Sequence, residues 1–207
     1  RPFLADSEFV KKAFENKANE IVPCIACNQA CLDHVFNGKQ ASCLVNPRAG
    51  YETSLSIKPA SKKENIAVVG AGPAGLAFSV NAAQRGHNVT LFEQEKSIGG
   101  QFNMAKIIPG KEEFYETLRY FDVMIKKTGV SLKLGTTVNA ETLMEGNKYD
   151  SIVFATGIQP REISIKNECV HRKIEILSYI DVLKNRKKVG NNVAVIGAGG
   201  IGFDVVD

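Results

Sequence analysis

The 207-residue sequence has no tryptophan and only three methionines and three histidines. Its 26 basic and 22 acidic residues nearly balance, and the basic pairs are scattered rather than gathered in one patch, which argues against nucleic-acid binding. No apolar run approaches the roughly 18 residues that a membrane span requires, and no basic-then-apolar leader opens the chain. These absences predict a globular cytoplasmic protein that binds neither nucleic acid nor a membrane, and 44% hydrophobic residues are ample for its core.

Residues in an arrangement typical of acid–base or nucleophilic catalysis are also missing. His34, His87 and His171 share no catalytic spacing, and neither a nucleophile–base pair nor a pair of carboxylates is evident. The sequence therefore predicts no catalytic residue within this chain.

The two ends suggest a piece of a longer protein. The chain begins at Arg1 without a methionine and stops at Asp207, a few residues into an expected helix. Near the start, residues 6–19 place apolar side chains on one helical face, with Asp6 available as the N-cap. That face has no partner of its own nearby, so we expect it to pack on a preceding domain.

Cysteine is scarce but clustered. Cys24, Cys27, Cys31 and Cys43 follow the spacing C-x2-C-x3-C-x11-C inside an irregular segment. Disulfides are disfavoured in the cytoplasm, so these thiols predict a metal site. One CxxC pair followed closely by a third cysteine favours an iron–sulfur cluster, whereas zinc, which the same ligands can bind, stays open. Cys169 stands alone and is interpreted as a loop or core thiol.

A strand, a glycine-rich turn and a helix begin at Asn65. In Gly70-Ala-Gly72-Pro-Ala-Gly75 the first glycine permits a tight turn, the second lets the backbone approach a pyrophosphate, and the third lets the helix lie close to the strand. Glu93 ends the second strand and is placed to accept hydrogen bonds from a ribose. This context predicts a dinucleotide site.

The same pattern recurs at Gly197, Gly199 and Gly202, 127 positions later, after a predicted buried strand over 193–196. Two such loops predict two dinucleotides, one retained as a flavin and one exchanged as the reductant. Other predicted elements are a helix over 111–127 with Gly129 as its C-cap, strands over 131–134 and 149–155, and a helix over 178–184 opened by a Ser178–Asp181 capping box.

Taken together, the motifs RPFLAD, CIACNQAC with CLVNPRA, GAGPAGLA, IGGQFNMAKIIPGK, FATG and VIGAGGIGFD resemble the old-yellow-enzyme-like flavoproteins that include the bacterial NADPH-dependent 2,4-dienoyl-CoA reductases. The resemblance implies an α/β, Rossmann-like FAD/NAD(P)-binding fold of glutathione-reductase type, preceded by an irregular iron–sulfur segment and the tail of a TIM barrel. It divides the chain into a barrel tail at 1–19, a cluster segment at 20–60, an FAD domain at 61–160 and the start of an NAD(P)H domain at 161–207.

The resemblance also implies roles for individual residues. The four clustered cysteines would bind a 4Fe–4S cluster, Gly197, Gly199 and Gly202 would receive NADPH, and Gln29 would face FMN. The residues implied to contact FAD are Gly70, Gly72, Ala74, Gly75, Glu93, Gln101, Lys111, Val138, Thr156 and Gly157. FMN and an unsaturated acyl-CoA substrate would be bound mainly by the barrel, which also carries the family's acid–base residues.

The implied function is electron transfer from NADPH through FAD and the cluster to FMN, for reduction of 2,4-dienoyl-CoA in fatty-acid β-oxidation. A related amine dehydrogenase or enoate reductase is one alternative. A zinc-stabilised nucleotide-binding module without redox turnover is another.

Overall fold

A four-stranded parallel sheet lies at the centre of the computed structural model, which describes residues 2–160 and 174–206. The strands are β1 (Asn65–Val69), β2 (Asn88–Phe92), β3 (Ser131–Lys133) and β4 (Ser151–Phe154), in the order β3-β2-β1-β4. Because every pairing is parallel, the carboxyl ends of the strands share one edge, where open α/β sheets bind their ligands.

Two of the helices are long, and the others are short. The helices are α1 (Pro2–Ala5), α2 (Phe9–Phe14), α3 (Leu32–Phe36), α4 (Pro73–Gln84), α5 (Phe102–Ala105), α6 (Glu113–Thr128), α7 (Ala140–Met144), α8 (Tyr179–Leu183) and α9 (Gly200–Val206), with 3-10 turns at Ala18–Glu20 and Glu145–Asn147. Within the described ranges, no helix combines the length and apolar character needed to cross a membrane.

Helix α4 packs on β2 and α6, and its buried positions are mostly small. Leu76 and Val80 of α4 join Leu91 of β2 and Ile125 of α6 in the hydrophobic core. Helix α6 carries basic residues in its last turn, as its dipole favours, and ends at Gly129, whose φ of 76° forms a left-handed cap. This confirms the predicted helix and its C-cap.

The predicted capping box of α8 is also confirmed. The Asp181 N–H donates to Ser178 Oγ at 3.2 Å, and the Ser178 N–H donates to the Asp181 carboxylate at 3.0 Å. The Ser178 hydroxyl also donates to the Asp181 carboxylate at 2.8 Å. This hydrogen bond, followed by those from the Ser178 N–H and Lys187, lowers the pKa of Asp181 well below its usual range.

The prediction of a long helix over 6–19 with Asp6 as its N-cap is wrong. Helix α2 begins at Phe9 after a Glu8 cap and ends at Phe14, and Asn16 is left-handed with φ 56°. The Asp6 carboxylate bonds to the Val22 N–H, sixteen residues away, and so ties this segment to the following loop.

The predicted buried strand over 193–196 is also wrong. Val193, Val195 and Ile196 are exposed, and the segment belongs to no sheet within the described part of the chain. A strand is stabilised by hydrogen bonds to its neighbours, and no described strand lies beside this segment.

We predict that Ser79→Ala stabilises the protein. Ser79 is fully buried in α4, and its Oγ has no hydrogen-bond partner among the described residues. Removing the unpaired hydroxyl and gaining alanine's helix propensity should raise the free energy of unfolding by about 1 kcal/mol. Denaturant unfolding of the full-length protein measures the change, with Gln84→Ala on the exposed face of α4 as the control. A destabilised Ser79→Ala variant would contradict the prediction.

Candidate dinucleotide cleft and cysteine cavity

The first glycine loop is closed by contacts that only glycine permits. A Cβ added to Gly75 would lie 1.9 Å from the Gly70 carbonyl oxygen, and one added to Gly70 would lie 2.4 Å from the Ala155 oxygen. Gly70 also has a φ of 103°, which L side chains rarely adopt. The loop therefore lies tightly between the start of α4 and the end of β4.

Gly72 faces open space instead. Its backbone is extended (φ −75°, ψ −179°), and beyond its chain neighbours an added Cβ would meet no atom of the described residues within 4 Å. Gly72 is also the N-cap of α4, and Pro73 follows at the first helical position. The free N–H groups and positive end of this 12-residue helix can thus bind a diphosphate that approaches across Gly72.

Glu93 lies at the carboxyl end of β2 and is 7% exposed. Its Oε2 accepts a 2.7 Å hydrogen bond from the Ala71 N–H, and its Oε1 accepts a 2.9 Å bond from the Glu95 N–H. Each oxygen has a second lone pair, so the carboxylate can still accept from ribose hydroxyls. The Ala71 N–H, which orients Glu93, is not among the groups predicted from the sequence.

The loop at 98–101 is joined to the first glycine loop. The Gly99 N–H donates to the Ala71 oxygen at 2.8 Å, and a Cβ on Gly100 would lie 3.2 Å from the Gly72 Cα. Gln101 donates to the Ile158 oxygen at 3.1 Å, which places its side chain beside the segment that follows β4. The adjacent glycines in IGGQ are the sequence signal for this close approach.

One cleft brings most of the predicted nucleotide residues together. Its lining includes Gly70, Gly72, Ala74, Glu93, Gln101, Val138, Thr156, Gly157, Gly197, Gly199 and Gly202. Gly75 instead packs behind the loop, against Gly70. Lys111 does not line the cleft, and its Nζ lies 2.6 Å from Asp204 Oδ1 in an ion pair.

The second nucleotide loop repeats the internal geometry of the first. Gly197 has a φ of 113°, and a Cβ on Gly202 would lie 2.2 Å from the Gly197 oxygen. Gly199, like Gly72, would place an added Cβ in open space. The repeat seen in the sequence is therefore a repeat of the turn itself.

All four clustered cysteines are free thiols and line one cavity of about 20 Å³. The pKa of the Cys43 thiol is raised, mainly by burial and further by Cys24 and Cys27. Hydrogen bonds that its sulfur accepts from the Val45 and Asn46 backbone N–H groups offset part of the rise. The described residues include no group of three or more His, Cys, Asp or Glu placed to hold a metal ion.

The loop around this cavity turns without glycine between Cys24 and Cys31. Ala26 and Asn28 are left-handed, with φ of 54° and 60°, and such a conformation costs roughly 1 kcal/mol for alanine. A 2.6 Å hydrogen bond from the Ser42 N–H to the Ala30 oxygen then brings Cys43 beside Cys31.

Gln29, His34 and His87 do not line the cavity, and Gln29 is exposed. His34 Nδ1 is 3.0 Å from the Gln40 oxygen, and His87 Nδ1 accepts from the Glu64 N–H at 3.3 Å. Cys169 and His171 lie outside the described residues.

We predict that alanine affects cofactor binding at one glycine of the first loop and stability at another. Gly72→Ala should leave the fold intact but sharply reduce FAD retention, because its methyl group lies where a diphosphate would approach. Gly75→Ala should destabilise the fold by several kcal/mol because the methyl group overlaps backbone. Flavin absorbance and thermal unfolding of the purified full-length variants separate the two effects. Normal FAD content in folded Gly72→Ala protein would contradict the first prediction.

Curated relatives match almost the whole chain. A metal reductase of Desulforamulus reducens is 38% identical and a cinnamate reductase of Clostridium sporogenes is 34% identical, each over 99% of this chain. A solved structure of 2-naphthoyl-CoA reductase in complex with 2-naphthoyl-CoA superposes with a TM-score of 0.90 at 38% identity over 99% of this chain. The chain spans 30% of each of these two curated relatives and 31% of the solved chain.

The family comparison agrees with the geometry of the glycine loops. A family model described as "Pyridine nucleotide-disulphide oxidoreductase" matches residues 64–206, from the residue before β1 to the end of α9. The predicted Rossmann-like FAD/NAD(P)-binding α/β fold is thereby confirmed. The chain belongs to the pyridine nucleotide-disulphide oxidoreductase family.

Proposed function

We propose that this chain is the electron-input part of a flavoprotein reductase that takes electrons from NADPH and reduces a conjugated carbon–carbon double bond, that of 2,4-dienoyl-CoA. The observation that carries the proposal is one chain with two glycine loops on one cleft and four cysteine thiols on one cavity. The similar 2-naphthoyl-CoA reductase and cinnamate reductase support reduction of unsaturated acyl compounds.

The first loop would hold FAD. Gly72 leaves room for the diphosphate at the N-terminus of α4, and Glu93 offers fixed lone pairs to the ribose. Gln101, Val138, Thr156 and Gly157 line the same cleft and would contact the remainder of the cofactor. The second loop, at Gly197–Gly202, would bind NADPH.

When bound, FAD supplies the conversion of a two-electron hydride into single electrons that a 4Fe–4S cluster can pass to FMN. The chain's own contribution is to gather four soft sulfur donors around one cavity that no histidine or carboxylate side chain lines. A single zinc ion needs its thiolates about 2.3 Å from one point, whereas an iron–sulfur cluster places each cysteine on a different iron and spreads the sulfur atoms more widely. Four thiols on one cavity match the four sulfur ligands that a 4Fe–4S cluster takes, and this supports the proposal.

A second candidate is reduction of a free enoate rather than a CoA thioester, because the cinnamate reductase is similar over 99% of this chain. The full-length protein, given NADPH anaerobically, should oxidise it in the presence of 2,4-dienoyl-CoA and form a product with one double bond fewer. Turnover with cinnamate alone would favour the second candidate. Failure with both would contradict both candidates.

We predict that the full-length protein, purified anaerobically, contains iron and sulfide in equal amounts and gives an EPR signal after reduction. Cys27→Ser should lose the signal and most of the iron because a thiolate ligand is missing. Cys169→Ser, which changes the one cysteine outside the cluster motif, is the matched control and should keep both. Zinc in place of iron in the unaltered protein would contradict the proposal.

We predict that Gly199→Ala raises KM for NADPH by about 10-fold or more while FAD content stays normal. Apart from its chain neighbours, the added methyl group would meet no atom of the described residues within 4 Å, so a ligand that approaches the second loop is what it would obstruct. Steady-state kinetics with an artificial electron acceptor measure KM. An unchanged KM would show that NADPH does not bind across Gly199.

A further inference from the structure

The RPFLAD motif at the start of the chain has no role in the nucleotide cleft, yet its Asp6 is almost completely buried. The side chain is 4% exposed and accepts three hydrogen bonds. Asp6 Oδ1 accepts from the Glu8 N–H at 3.0 Å, and Oδ2 accepts from Lys12 Nζ at 2.6 Å and from the Val22 N–H at 2.9 Å. A carboxylate is buried at little cost only when it is paired in this way.

The bond to Val22 connects Asp6 to the cysteine cavity. Val22 lies two residues before Cys24, the first of the four clustered cysteines. A local turn would explain the contact with the Glu8 N–H, two residues away, but it does not explain a bond that spans sixteen residues. The motif therefore fixes the point where the chain enters the cysteine loop.

The same motif also fixes the point where the chain leaves that loop. Asn46, three residues after Cys43, donates from Nδ2 to the Leu4 oxygen at 2.9 Å. Leu4 itself lines the cysteine cavity. One short turn thus holds both flanks of the loop and contributes to the cavity wall.

We propose that Asp6 and Asn46 are positioning residues that clamp the two ends of the cysteine loop, so that its four thiols keep hold of an iron–sulfur cluster. The inference rests on the proposed function, because it assumes that these thiols bind iron. Asp6 fixes the start of the cysteine loop by accepting from the Val22 N–H. Asn46 fixes the end of the loop by donating to the Leu4 oxygen.

The rate of iron release tests the clamp. In the full-length protein, purified anaerobically with its cofactors, iron transfer to a coloured chelator is followed for Asp6→Ala, Asp6→Asn and Asn46→Ala. Asp6→Ala and Asn46→Ala should release iron about 10-fold faster than the unaltered protein, the scale seen when groups that orient metal ligands are removed. Asp6→Asn should fall between, because an amide oxygen can still accept from Val22 but carries no charge to pair with Lys12.

Glu8→Gln is the matched control. It removes the exposed Lys11–Glu8 ion pair, 3.3 Å long, next to Asp6 but leaves both clamp bonds in place, so iron release should not change. The FAD and FMN contents of every variant are measured alongside the iron, because a local clamp predicts that the flavins are retained.

Iron release from Asp6→Ala and Asn46→Ala within about twofold of the Glu8→Gln control would overturn the clamp. Parallel loss of iron and both flavins in these two variants would also overturn it, since that pattern indicates general unfolding. If Asp6→Ala does not fold, Asn46→Ala decides the question alone. An iron-free unaltered protein would contradict the proposed function and the clamp together, whereas normal iron with unchanged release contradicts the clamp alone.

Discussion

The close approach of Gly75 to the Gly70 carbonyl oxygen is the constraint on which the nucleotide cleft depends. A methyl group there would lie 1.9 Å from the oxygen, so α4 can follow β1 this tightly only through glycine. Gly70 in turn rests against Ala155 after β4. The loop thereby fixes both the direction of α4 and the distance from the helix N-terminus to the neighbouring strand end.

The nucleotide cleft and the cysteine cavity differ in chemistry but are joined through α6. At the cleft, the Ala71 N–H orients a buried carboxylate, whereas the cavity gathers sulfur donors. Two cations of α6 reach the segment that leads into the cysteine loop: Arg119 donates to the Asn19 oxygen at 2.6 Å, and Lys127 lies 2.5 Å from the Glu20 carboxylate. A helix of the nucleotide fold thus also anchors the approach to the cavity.

Features determined by neighbouring residues could be predicted from the sequence, and features determined by distant contacts could not. The glycine turns, the Gly129 cap and the Ser178 capping box are local. The glycine turn at 197–202 forms even though the residues before it pair with no described strand. Its closest contact joins Gly197 and Gly202, only five positions apart, so the turn is local. In contrast, the extent of α2 and the pairing of Lys111 with Asp204, 93 residues away, depend on folding of the whole chain.

The two hydrogen bonds that secure Val22 and Asn46 make the intervening stretch a closed ring whose ends are fixed without a covalent link. For such a ring, the entropic penalty of closure rises only slowly with length, by about 0.6 kcal/mol for each doubling. Related chains can therefore insert or delete residues between Cys31 and Cys43 at little thermodynamic cost, provided that both tethers persist. During evolution, the two attachment points at Val22 and Asn46 therefore constrain this stretch more than the number of residues between them does.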